Sequence, residues 1–86
     1  MDIIALRAAL AYVEKAIVVG EQTIAAQRSL IAEMERSGMD ARAQKQALEN
    51  LKREQWRRIQ RREILTQELA AEGCSQGLIK NGYEIP

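Results

Sequence analysis

The chain has 86 residues, of which 47% are hydrophobic and 29% are charged, and its net charge is +1. This length allows one small domain, and a net charge so close to zero gives no overall field that would attract nucleic acid or a membrane surface. The chain contains no histidine, the side chain best suited to acid–base catalysis near neutral pH, so the composition argues against an enzyme.

The sequence also offers no set of residues for binding a cofactor. No group of cysteines and carboxylates has the spacing of a metal site, and no glycine-rich loop could hold a phosphate. We therefore expect no cofactor and no catalytic, cofactor-binding or metal-binding residue. The single cysteine, Cys74, cannot form an intrachain disulfide and is expected to be an unreactive thiol, as is usual in the reducing cytoplasm. Neither a signal peptide nor a membrane-spanning helix is expected, because no basic segment comes first and charges interrupt the apolar run.

A heptad pattern in the first part of the chain predicts a helix over residues 2–36, with Asp2 as its N-cap. The residues that recur at steps of three and four are Ile3, Leu6, Leu10, Val13, Ile17, Gly20, Ile24, Gln27, Ile31 and Met34. Such a repeat forms a continuous apolar seam on one side of a helix.

The N-terminal half of this helix is apolar on nearly every side, since 14 of the 17 residues from position 3 to position 19 are apolar. A helix of this kind has to be buried on every side, and one neighbouring helix cannot cover it. We therefore predict a homodimer that uses the side opposite the seam. Its expected contact residues are Ile4, Ala8, Ala11 and Val18.

A turn is predicted over residues 37–40. Gly38 suits the left-handed position that ends a helix in a Schellman motif, with Met34 and Met39 at the two apolar positions of that motif. Asp40 then suits the N-cap of a second helix. A helix end and a helix start this close together indicate an antiparallel helical hairpin.

The second helix is predicted over residues 41–72, with fewer apolar positions than the first. Folding the chain at the turn places Leu69 near Leu6 and Ile59 near Ile17, and places Trp56 near Gly20, where the missing side chain would leave room for the indole. The tail, residues 73–86, contains an Asn-Gly pair that suits a type I′ turn, so it is either an irregular tail or a short β-hairpin over residues 78–85. Arms this short favour the irregular tail.

A basic stripe on the second helix has two interpretations. Arg53, Arg57 and Arg61 recur every four residues and could follow the phosphates of a nucleic acid, with Trp56 stacking on a base. The interpretation we favour is a solvated face with ion pairs from Glu49 to Arg53 and from Glu54 to Arg58. On this interpretation Trp56 is a contact within the hairpin or the dimer.

The sequence resembles a group of short bacterial helical-hairpin proteins of unknown function over roughly residues 13–69. In that group an I-x-x-Q-R-x-L-I-x-x-hydrophobic-E run precedes a Gly-x-Asp turn and a second helix that closes in Glu-Leu. The matching residues here are Glu21, Ile24, Gln27, Arg28, Leu30, Ile31, Met34, Glu35, Gly38, Asp40, Leu48, Glu68 and Leu69. The resemblance implies the hairpin and implies no activity.

Together these features predict an all-α, coiled-coil-like antiparallel two-helix hairpin that dimerises into a four-helix bundle. The expected function is a cytoplasmic, non-catalytic structural or interaction module. Two alternatives stay open: a nucleic-acid-binding accessory protein that uses the basic stripe, and a chaperone or adaptor that binds a heterologous helical partner. A protein partner is favoured over nucleic acid, and no membrane contact is expected.

Overall fold

The computed structural model describes the backbone of residues 2–81 and the side chains of residues 2–73. Within these limits the chain forms two helices, α1 (Ile3–Arg36) and α2 (Arg42–Asn81), and no strand. The helices pack along each other in opposite directions and form a rod of 68 × 18 × 16 Å. The predicted all-α hairpin is confirmed, and the four-helix bundle stays a prediction. Over the described residues, neither helix is long and apolar enough to cross a membrane.

The start of α1 and the turn follow the predicted capping pattern. The carboxylate of Asp2 accepts a hydrogen bond of 2.8 Å from the backbone N–H of Ala5. At the other end Gly38 has a φ of 75°, and the N–H of Met39 donates to the carbonyl of Met34 at 2.8 Å. This is the bond that defines a Schellman motif. The carboxylate of Asp40 then accepts the backbone N–H of the first α2 residue at 3.0 Å.

The predicted end of α2 is wrong, because the helix continues through Gly73 to Asn81. A glycine inside a helix costs only about 1 kcal/mol relative to alanine, which does not by itself stop a helix. Ending one at a glycine requires a left-handed residue, and Gly38 is the only glycine with positive φ among the described residues. The predicted β-hairpin over residues 78–85 fails for the same reason, since its first arm is helical. The rest of that hairpin and the side chain of Cys74 lie outside the described part of the chain.

The apolar core lies between the helices at the end of the rod away from the turn. Its buried members are Leu6, Val13, Ile17 and Leu65, with Ala9, Leu10, Ile59 and Leu69 packed against them. The predicted neighbours of Leu6 and of Ile17 thus belong to the same cluster. Near the turn, Ile31 and Ala41 are also buried.

The middle of the interface is polar. Gln55 is 5% exposed and lies at the level of Gly20, while Gln27 donates a hydrogen bond of 2.9 Å to the backbone carbonyl of Gln44. These two polar layers separate the apolar core from the buried residues near the turn. The hairpin is therefore held in the middle by hydrogen bonds and at both ends by apolar packing.

Candidate interaction surface

The N-terminal half of α1 carries an exposed apolar surface on the side away from α2, which we call the outer face. It consists of Ile4, Ala8, Ala11, Tyr12, Lys15, Val18 and Val19, all of them exposed. Ile4 is 81% exposed and Tyr12 is 77% exposed, and both valines exceed 50%. Lys15 is the only charged residue of this face. An exposed apolar patch with so few charges is typical of a protein interaction site.

All four residues that we predicted as dimer contacts lie on the outer face: Ile4, Ala8, Ala11 and Val18. The structure thus brings them together on one surface and leaves them uncovered by α2. The prediction omitted Tyr12 and Val19, which are equally accessible. Their position off the apolar seam was visible in the sequence, and it was the signal that could have added them.

A groove of about 300 Å³ opens beside the outer face at the level of Gly20. Its walls are formed by Lys15, Ala16, Val19, Gly20, Thr23, Leu51 and Arg58. Because Gly20 has no side chain, the groove reaches down to the second helix. Lys15 and Val19 belong to both the groove and the outer face, so the two features form one continuous surface.

Gln55 lies below this groove and joins the two helices. Its side-chain amide donates a hydrogen bond of 2.8 Å to the backbone carbonyl of Ile17, and its side-chain oxygen accepts one of 3.0 Å from Arg58. That oxygen occupies the position that a Cβ on Gly20 would need. The space at Gly20 is therefore filled by Gln55. The prediction that Trp56 fills it is wrong, because α2 turns the indole outward.

The basic stripe, Arg53, Arg57 and Arg61, is exposed along the side of α2. Trp56 lies among these arginines and is 61% exposed. It therefore makes no buried contact within the hairpin. A large aromatic side chain exposed among cations can stack on a nucleic-acid base or pack against another protein.

One of the two ion pairs predicted beside the stripe forms. Glu54 lies 3.9 Å from Arg58, whereas Glu49 pairs at 3.1 Å with Lys52 rather than with Arg53. The guanidinium of Arg53 instead donates to the side-chain oxygen of Asn50 at 2.9 Å. All these side chains are at least partly exposed, so the pairs contribute little stability.

The clearest electrostatic feature of the chain is at the turn, away from both surfaces. The guanidinium of Arg42 hydrogen-bonds the carboxylate of Asp40 and lowers the pKa of that carboxyl, with help from the backbone N–H of Arg42. The same contact raises the pKa of Arg42. Both side chains are exposed, and this pair stabilises the start of α2.

No family model, curated protein or solved structure matches this chain. The resemblance to short bacterial helical-hairpin proteins thus stays a prediction. Function has to be argued from the surfaces of the chain itself.

Proposed function

We propose that the chain is a non-catalytic structural or interaction module that self-associates through the outer face of α1. Two hairpins joined in this way form a four-helix bundle with the two α1 helices in contact. The single cysteine of the sequence favours a reducing compartment, and we assign the module to the cytoplasm. The absence of histidine supports a role without catalysis.

The observation that carries this proposal is the exposure of the outer face. Ile4, Tyr12, Val18 and Val19 each expose more than half of their surface to solvent in the isolated hairpin. Burying apolar surface contributes about 25 cal/mol per Å², so a partner that covers these side chains is bound favourably. A second copy presents the same face and can cover it symmetrically.

Sedimentation equilibrium of the purified chain at micromolar concentration tests the proposal. We expect a dimer, and we expect Val18→Glu to raise the dissociation constant about tenfold or more, since about 1.4 kcal/mol is enough for a tenfold change. Ile64→Glu is the matched control. Ile64 is 51% exposed, close to the 56% of Val18, but it lies on α2. A folded wild-type monomer at this concentration contradicts the proposal.

A heterologous helix could occupy the same outer face, as in the chaperone or adaptor alternative. That function requires the isolated chain to stay monomeric with the face open. The same sedimentation experiment therefore separates the two functions, provided that circular dichroism shows an intact helical fold in the sample.

The nucleic-acid alternative is supported by a different observation, the exposure of Trp56 within the basic stripe. Arg53, Arg57 and Arg61 could contact phosphates while the indole stacks on an unpaired base. The net charge of +1 argues against strong binding, because no overall field attracts a polyanion. Self-association is therefore our first proposal, and a test of the stripe follows in the Discussion.

A further inference from the structure

The outer face of α1 contains its own heptad repeat, separate from the seam that packs on α2. The repeat runs through Ile4, Ala8, Ala11, Lys15, Val18, Gln22 and Ala25, with alternating steps of four and three residues, and every member is exposed. This spacing is the one by which two helices pack along each other. Three of the seven residues are alanine, so a second helix can approach closely.

The two flanks of this outer repeat differ in character. One flank is charged and consists of Arg7, Glu14, Glu21 and Arg28, seven residues apart. The other flank is apolar except at its ends and consists of Ala5, Tyr12, Val19 and Ala26. All eight side chains are exposed. The direction in which a second helix runs decides which flank meets which.

We infer that a second copy of the chain docks on the outer repeat with its α1 antiparallel to the first, about a two-fold axis at the level of Val13. This inference rests on the proposed function and adds the direction and register of the dimer. In this register Ala8 faces Val18 of the second copy, and Lys15 faces the second copy's Ala11.

A parallel dimer is disfavoured by the charges. In a parallel, in-register pair each residue of the repeat meets its own copy, so the two Lys15 ammonium groups would oppose each other in the centre. The charged flank of one helix would also meet the apolar flank of the other, with Glu14 beside Val19. Like charges repel, and charges covered by apolar groups lose hydration without gaining a partner.

The antiparallel arrangement pairs like flank with like flank, because the two-fold axis lies across the helices. On the charged flank Arg7 lies beside Glu21 of the second copy, and the symmetry repeats this pair. The two Glu14 carboxylates meet near the axis, where each has a Lys15 from the opposite helix as its neighbour. On the apolar flank the two Tyr12 rings meet, a favourable contact for aromatic side chains.

The charges also select one antiparallel register. If the second helix slides by one heptad, Lys15 faces Val18 and Ala8 faces Ala25. The charged flank then places Arg7 beside Arg28 and Glu14 beside Glu21. Both contacts are repulsive and both occur twice, whereas the register centred on Val13 has two opposite-charge pairs in their place.

Thiol cross-linking tests this geometry in the full-length chain with Cys74 replaced by serine. The test variant carries Ala8→Cys and Val18→Cys, and a short bismaleimide is added at a concentration where the wild type sediments as a dimer. We expect a covalent dimer from this double variant. Variants with Ala8→Cys alone or Val18→Cys alone should stay uncross-linked, because the ten-residue offset separates the two copies of each residue by about 15 Å at 1.5 Å per residue.

The controls distinguish the other arrangements. Efficient cross-linking of both single variants means a parallel dimer, and cross-linking of a variant with Ala8→Cys and Ala25→Cys in place of the test variant means the shifted register. Either result overturns the inference while self-association stands. A wild-type chain that sediments as a folded monomer overturns the inference and the proposed function together.

Discussion

The side-chain amide of Gln55 donates a hydrogen bond of 2.8 Å to the backbone carbonyl of Ile17 on the opposite helix. The bond is possible because Gly20, one turn further along α1, leaves room for the glutamine side chain. Gln55 is 5% exposed, so its amide has little access to water if this bond is lost. A small residue on one helix and a polar residue on the other therefore act as a unit.

The effect of Gly20→Ala should reverse its sign with the residue at position 55. In the wild type the new Cβ displaces the Gln55 side chain, and an unsatisfied buried amide costs about 1–3 kcal/mol. The alanine gains about 0.5–1 kcal/mol in helix propensity, so the net loss of unfolding free energy should be about 1 kcal/mol. In a Gln55→Ala background the obstacle is gone and Gly20→Ala should stabilise. Urea unfolding of the four variants measures the difference, and stabilisation in both backgrounds would show that the pair is not coupled.

Gly38→Ala and Gly73→Ala should shift the thermal midpoint in opposite directions. Gly38 has positive φ and no atoms close to the site of a new Cβ, so the change costs backbone strain of about 1–2 kcal/mol. A loss of 1 kcal/mol lowers the midpoint of a domain this small by about 4–8 °C. Gly73 lies inside α2, where alanine should raise the midpoint. A Gly73→Ala variant with a lower midpoint would contradict the continuation of the helix beyond residue 72.

The contact between Asp40 and Arg42 should make stability depend on pH on the acid side. Arg42 holds the pKa of Asp40 below its ordinary value in the folded chain. The contact therefore stabilises the fold at pH values above the unfolded pKa, about 3.9, and this contribution is lost as the pH falls through the folded pKa. Asp40→Asn can still cap the helix but cannot titrate. The difference in thermal midpoint between wild type and this variant should shrink on acidification, and a constant difference would mean that the contact does not stabilise the fold.

The basic stripe should prove largely dispensable for the fold. Arg53, Arg57 and Arg61 changed together to glutamine should leave helicity and the dimer intact, since exposed ion pairs contribute only about 0.2–1 kcal/mol each. We expect wild-type binding to single-stranded or duplex nucleic acid to be weak at physiological ionic strength. The measurement is a fluorescence-anisotropy titration at several salt concentrations.

A matched control keeps this experiment informative about the stripe. Changing Arg28, Arg36 and Lys45 to glutamine removes the same charge from outside the stripe. If the wild type binds below micromolar concentration at physiological salt, and only the stripe variant loses binding and flattens the salt dependence by about 0.9 per lost phosphate contact on duplex DNA, the nucleic-acid function replaces our first proposal. Equal losses in both variants would indicate general attraction between charges.

The sequence predicted the turn correctly because its determinants are local. The positive φ at Gly38 and the cap at Asp40 depend on residues within a few positions, and such signals are specific for helix ends. The end of α2 was predicted wrongly, since a glycine alone was taken as a stop. A helical glycine costs too little to end a helix whose other residues favour it.

The pairing in the middle of the hairpin was beyond the sequence. Hydrophobicity favours burying Trp56 over Gln55, and the heptad slips in this part of α2, so the neighbouring residue was assigned to the interface. The buried choice was decided by the carbonyl of Ile17 and the space at Gly20, which only the assembled hairpin brings to Gln55. The outer face, in contrast, was predictable because apolar residues surround the whole N-terminal half of α1.

The long rod also implies an order of assembly. The hydrogen bond from Gln27 to Gln44 spans 17 residues of sequence, and the bond from Gln55 to Ile17 spans 38. Entropic costs of loop closure rise with the length of the loop, so the helices should zip together from the turn toward the termini. Leu6 and Leu65 then meet last. During synthesis the N-terminal half of α1 waits, with both of its apolar sides uncovered, until the end of α2 arrives, so this segment is the part of the nascent chain most prone to associate early.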